Sequence, residues 1–68
     1  MEIVEAKYDY NKYDEGLLCF KRGDRLVVTE KSTNGWWTAK NLESGEFGYI
    51  PAAYVEVRGF FVFCFWNL

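Results

Sequence analysis

The sequence contains no histidine, one proline and two cysteines, and its formal net charge is only −2. Without histidine, Cys19 and Cys64 have nothing to complete a zinc set, and their separation is not that of a metal-binding pair. Two thiols do not make a secreted disulfide framework either, although a single Cys19–Cys64 bridge stays open. A slightly acidic chain offers no basic surface for a phosphate backbone, which argues against nucleic acid as a partner. There is no glycine-rich phosphate cradle. No nucleophile stands beside a base, so Asp9, Asp14 and Glu15 read as a solvated loop face rather than an acid/base pair. The chain therefore reads as non-enzymatic, with no cofactor and no metal. No stretch of ten or more residues keeps a 3.6-residue apolar period, which excludes an amphipathic helical framework. No signal-like segment precedes the alternating Met1-Glu2-Ile3-Val4-Glu5, and the expected location is cytoplasmic.

What the chain does have is apolar and aromatic. Half of its 68 residues are hydrophobic and 21% are aromatic, far from the signature of disorder. That length makes one small domain, near the lower limit at which a core holds unaided. Apolar residues fall in short, turn-bounded runs. Ile3, Val4 and Ala6 lead into an extended opening; Asn11 to Gly16 is polar and loop-like; Lys21-Arg22-Gly23-Asp24 is a turn with glycine available for positive φ. Arg25 to Glu30 is β-branched and strand-like. A loop closing on Asn34-Gly35 follows, then a strand opened by Trp36-Trp37. A tight connection over Asn41 to Glu46 brings back Phe47 to Ile50 as its partner. Pro51, which has no N–H to donate, is expected to end that pairing. Ala52-Ala53-Tyr54 suits one helical turn before a last strand, Val55-Glu56-Val57.

This pattern predicts a small all-β barrel or sandwich. Ala6, Leu18, Phe20, Leu26, Val28, Ala39, Ile50 and Val55 are expected to fill its core. Tyr8, Tyr10, Trp36, Tyr49 and Tyr54 are then more aromatics than so small a core needs. In a strand, neighbouring side chains face opposite ways, so one of the two tryptophans can join the core while the other looks outward. An outward indole supplies wide apolar area and one donor at little entropic cost, which suits docking.

Four blocks carry a resemblance to a known family. Ala6-Lys7-Tyr8-Asp9-Tyr10 resembles the Ala-Leu-Tyr-Asp-Tyr opening of Src-homology-3 (SH3) domains. Leu18-Cys19-Phe20-Lys21-Arg22-Gly23-Asp24 resembles their Leu-Ser-Phe-Lys-Lys-Gly-Asp turn, and Trp36-Trp37 their tryptophan pair. Gly48-Tyr49-Ile50-Pro51-Ala52-Ala53-Tyr54-Val55 resembles Gly-Tyr-Ile-Pro-Ser-Asn-Tyr-Val. The blocks occur in order at the family's separations and cover residues 3–57.

The resemblance implies five strands in a small, partly open barrel, with a long loop after the first strand and a short 3-10 turn before the last. It also implies reversible binding of proline-rich Pro-x-x-Pro segments of signalling or cytoskeletal partners by an adaptor module. Carried over by position, Tyr8 and Tyr54 wall one proline furrow, and Tyr10, Trp36, Pro51 and Tyr54 the next. Trp36, with Tyr49 nearby, borders a third pocket for a flanking residue, usually Arg or Lys. A polyproline II ligand is already extended, so parallel aromatic rings would offer matching furrows with little entropy left to lose. A small interface implies modest affinity, on the order of micromolar or about −8 kcal/mol. In two places the chain departs from the family. Leu17 stands where an acid usually meets the ligand's cation, leaving Asp14, Glu15 and Glu30 as its candidates for that role. Ala53 replaces an asparagine that bonds the peptide.

Two motifs need another reading. Arg22-Gly23-Asp24 is the tripeptide integrins recognise on flexible loops, but here it lies in a turn the fold needs. Residues 58–68, from Arg58 to Leu68, lie beyond the family pattern, so the chain divides into a domain over 1–57 and a hydrophobic extension over 58–68. The run is too short to cross a bilayer as a helix, and no transmembrane segment is expected. It reads as a non-native or processing-derived extension, as a strand that pairs with an edge of this or another copy and gives self-association through 60–66, or as a membrane-surface anchor.

Overall fold

A computed structural model describes residues 2–57. The expected extension over 58–68, self-association through 60–66 and the Cys19–Cys64 bridge all lie outside the described residues. Five strands form one antiparallel sheet: β1 (Glu2–Ala6), β2 (Arg25–Lys31), β3 (Trp36–Asn41), β4 (Phe47–Pro51) and β5 (Val55–Val57). Their spatial order is β4-β3-β2-β1-β5, and a 3-10 turn over Ala52–Tyr54 joins the two edge strands. The sheet is not closed, as expected for a partly open barrel. Among the described residues no helix is long and apolar enough to cross a membrane.

Period-two alternation decides which residues go inside. Leu26 and Val28 of β2 lie opposite Asn41 and Ala39 of β3, and all four are buried. Directly opposed residues share a face, so this register sets the inner layer. Each of the eight expected core residues is buried, and Val4 and Tyr10 join them. Val4 lies two residues before Ala6 on the same face of β1, and its apolar neighbour Ile3 hides that alternation in the sequence. Trp37, in phase with Ala39, packs against the core, while Trp36 faces outward and is 37% exposed. Pro51 does not stay outside the pairing. It is the last residue of β4 and sits opposite Trp36, so pairing runs one residue further than expected. The next amide, Ala52 N–H, donates to the Gly35 carbonyl at 2.8 Å and closes the ladder just past proline.

The long loop between β1 and β2 is tied down at several points. Tyr10 and Phe20 exchange backbone hydrogen bonds of 2.8 and 3.0 Å. Leu17 forms a parallel bridge to Tyr49 of β4. There Tyr49 N–H donates to the Gly16 carbonyl at 2.8 Å, and Leu18 N–H donates to the Tyr49 carbonyl at 3.0 Å. The Arg22-Gly23-Asp24 turn is fixed in the same way. Gly23 adopts φ +91°, and its N–H donates to the Ala6 carbonyl at 2.9 Å. Arg22 N–H donates to the Asp9 carboxylate at 2.7 Å, and Asp24 accepts from Lys21 N–H at 3.0 Å. All three residues of the motif thus take part in the turn's own bonding. Asn41, the one buried polar residue described, caps the β3–β4 hairpin. Its Oδ1 accepts from Glu43 N–H at 2.7 Å, and its Nδ2 donates to Asp24 at 3.2 Å.

Candidate peptide-binding surface

Three backbone anchors bring distant aromatics together. Lys7 N–H donates to the Tyr54 carbonyl at 2.7 Å, which sets Tyr8 beside Tyr54. The Tyr10–Phe20 bridge fixes Tyr10 at the root of the long loop. The Trp36–Pro51 pair aligns the end of β4 with the indole. The rings then form a continuous series. Tyr8 and Tyr54 have centroids 5.5 Å apart, Tyr54 and Tyr10 5.4 Å, and Tyr10 and Trp36 6.4 Å.

The rings are not parallel as expected. Interplanar angles along the series run from 67° to 83°, so each ring stands edge-on to the next. The positive edge of one ring faces the negative face of its neighbour, the arrangement the ring quadrupole favours. Tyr10 departs from its expected place as a surplus surface ring. It is 8% exposed and stacks on Phe20 at 5.6 Å and 24°, so it belongs to the core. Burial, followed by the Tyr54 phenol and the Asp14 carboxylate, raises the Tyr10 pKa above the usual tyrosine value. The shift is away from neutrality, so the phenol keeps the hydroxyl donor that any tyrosine has at neutral pH.

Beside this series lies a cleft of about 590 Å³ that Trp36 shares. Leu17, Glu30, Thr38 and Tyr49 line it with the indole, Thr38 lying between Glu30 and Tyr49 in the sheet register. Of the residues singled out for a flanking pocket, the structure brings Leu17, Glu30, Trp36 and Tyr49 into one cavity. Asp14 and Glu15 are not among its lining residues. Asp14 instead acts on Tyr10 and offers its carbonyl to Leu17 N–H at 3.1 Å. Sequence reasoning missed the turn residues Ser32 and Asn34, which also border the cleft. The Asn34-Gly35 turn signal was visible, but not the fact that this turn frames the indole. Ser32 Oγ donates to the Trp36 carbonyl at 2.9 Å, and Asn34 Oδ1 accepts from Trp36 N–H at 3.0 Å. Asn34 N–H also donates to Ser32 Oγ at 3.4 Å, so the two turn residues hold each other.

In a comparison with known protein families, the family model described as SH3 domain matches residues 5–52. That span contains every ring of the series except Tyr54, and the whole cleft.

Proposed function

The chain belongs to the SH3 domain family of protein–protein interaction modules, and on that premise we propose that its aromatic surface docks Pro-x-x-Pro segments. The observation that carries this reading is the unbroken ring series Tyr8–Tyr54–Tyr10–Trp36, with Pro51 opposite the indole. The furrow between Tyr8 and Tyr54 takes one ligand proline, and the furrow bounded by Tyr10, Trp36, Pro51 and Tyr54 takes the next. A polyproline II strand repeats every three residues at about 3.1 Å each, so its proline ridges are spaced to meet successive furrows. Its carbonyls carry no internal hydrogen bonds and accept from the tyrosine hydroxyls and the indole N–H. The reaction is reversible recognition without chemistry, in an adaptor acting on signalling or cytoskeletal partners in the cytoplasm.

Calorimetric titration with a Pro-x-x-Pro peptide is expected to give a Kd on the order of micromolar. Replacing both prolines of the peptide by alanine is expected to weaken binding at least about tenfold, since each loses a furrow contact and the preformed helix. Equal affinity for the two peptides would dismiss the furrows as proline sites.

A further inference from the structure

A second cavity, of about 490 Å³, is lined by residues of the long loop and of the β3–β4 hairpin. It shares no lining residue with the cleft beside Trp36. Of the ring series only Tyr10 reaches it, together with its stacking partner Phe20. Tyr13 adds a third ring from the long loop and is 83% exposed. A tyrosine so far from the core contributes little to packing, and the proline reading gives it no role. The loop and the hairpin are both fastened in place. Asp9 accepts from Arg22 N–H at 2.7 Å, which ties the opening of the loop to its returning turn. Asn41 accepts from Glu43 N–H at 2.7 Å and donates to Asp24 at 3.2 Å, which ties the hairpin to that same turn.

Charge decides what such an aromatic groove can take. Asp9, Asp24, Glu43 and Glu46 line it against a single cation, Lys21. The whole chain carries −2 from ten carboxylates and eight cations, so the groove holds −3 and everything else +1. Asp9 and Asp24 accept from uncharged donors, which leave their charge in place. The side chains of Glu43 and Glu46 are exposed and have no hydrogen-bond or ion-pair partner among the described residues. Among the described residues no three acidic or thiol groups are placed to hold a metal ion, so the spread charge suits a ligand with several cations. We infer that this groove is a second docking site, for an arginine-bearing segment of a partner protein. Guanidinium groups meet Glu43 and Glu46 as planar forks and stack on the Tyr13 ring, where lysine would offer charge without the plane. The volume falls within the roughly 300–1,000 Å³ of ligand sites. Since Tyr10 alone belongs to both surfaces, the groove fills independently of proline docking.

The test titrates the full chain, followed by two-dimensional NMR, with proline-free hexapeptides in which glycine alternates with arginine, lysine or glutamate. The arginine peptide is expected to shift the amides of Tyr13, Glu43, Ser44 and Glu46. The lysine peptide is expected to bind more weakly, and the glutamate peptide to leave those signals still. Glu43→Gln combined with Glu46→Gln is expected to weaken the arginine peptide about three- to tenfold, and Tyr13→Ala about two- to fivefold. None of these three side chains belongs to the ring series, so affinity for a Pro-x-x-Pro peptide is expected to stay within about twofold. Shifts confined to any other face, or an unchanged affinity in the glutamine double variant, overturn the inference. Equal binding of the lysine peptide overturns the choice of arginine. Loss of the arginine-peptide shifts at saturating Pro-x-x-Pro peptide also overturns it, because both ligands would then share one surface. If the Pro-x-x-Pro peptide itself fails to bind, the proline reading fails, while the arginine shifts still decide the groove.

Discussion

Trp36→Ala is expected to weaken binding of Pro-x-x-Pro peptides by about 30-fold or more, corresponding to roughly 2 kcal/mol. The indole ends the ring series, walls the cleft that holds Glu30, and faces Pro51 across the β3–β4 pair. Truncation therefore opens two sites together and removes one N–H donor. Trp36→Phe keeps part of the wall without that donor and should fall between the two. Trp36 is well exposed, while Trp37 is the indole packed on the core, so the variant is expected to keep its far-UV spectrum and cooperative melting. Calorimetry against one fixed peptide, together with a thermal melt, checks both halves. A folded Trp36→Ala variant that binds as tightly as the parent chain would remove the indole from the site.

Gly48→Ala is expected to destabilise the fold by about 2–3 kcal/mol, against the usual small gain from replacing glycine. A Cβ at this position would lie 2.7 Å from the Gly16 carbonyl oxygen, 3.1 Å from Leu18 N and 3.2 Å from the Leu17 carbonyl carbon. All three are backbone atoms, so no side chain can swing aside. Relief must come from lifting the long loop off β4, which breaks the Leu17–Tyr49 bridge and its two hydrogen bonds. In a domain this small, a loss of that size lowers the melting temperature by about 10–20 °C. Thermal denaturation decides the matter, and a midpoint within about 2 °C of the parent would mean the loop yields freely. The same variant is expected to blunt discrimination among flanking residues, because the bridge positions Leu17.

Where alternation and turn chemistry act within a few residues, the architecture could be read directly from the chain. Arg25 to Glu30, Asn34-Gly35 and Ala52-Ala53-Tyr54 each signal locally, and the strands, turn and core follow from them. Relations between distant segments were not legible in that way. A bulge in β2 that flips Glu30 into the cleft leaves no mark on a one-dimensional pattern, because Thr29 and Glu30 continue a plausible strand. The bridge from Leu17 to Tyr49 joins residues far apart in sequence, so Gly48 reads as an ordinary strand glycine until the loop is seen against it. By composition Tyr10 groups with the surface rings, because neither its stack on Phe20 nor its depth follows from composition. Asn41 was read as the start of a turn. That it lies in phase with Ala39, and so caps the hairpin from inside, depends on the register.

The most direct measurement is an isotope-filtered NMR experiment on the chain saturated with a Pro-x-x-Pro peptide, recording contacts between ligand proline ring protons and protein aromatic protons. The account predicts contacts from one proline to Tyr8 and Tyr54, and from the other to Tyr10, Trp36 and Tyr54. Proline contacts confined to any other face, with these rings unperturbed, would contradict it.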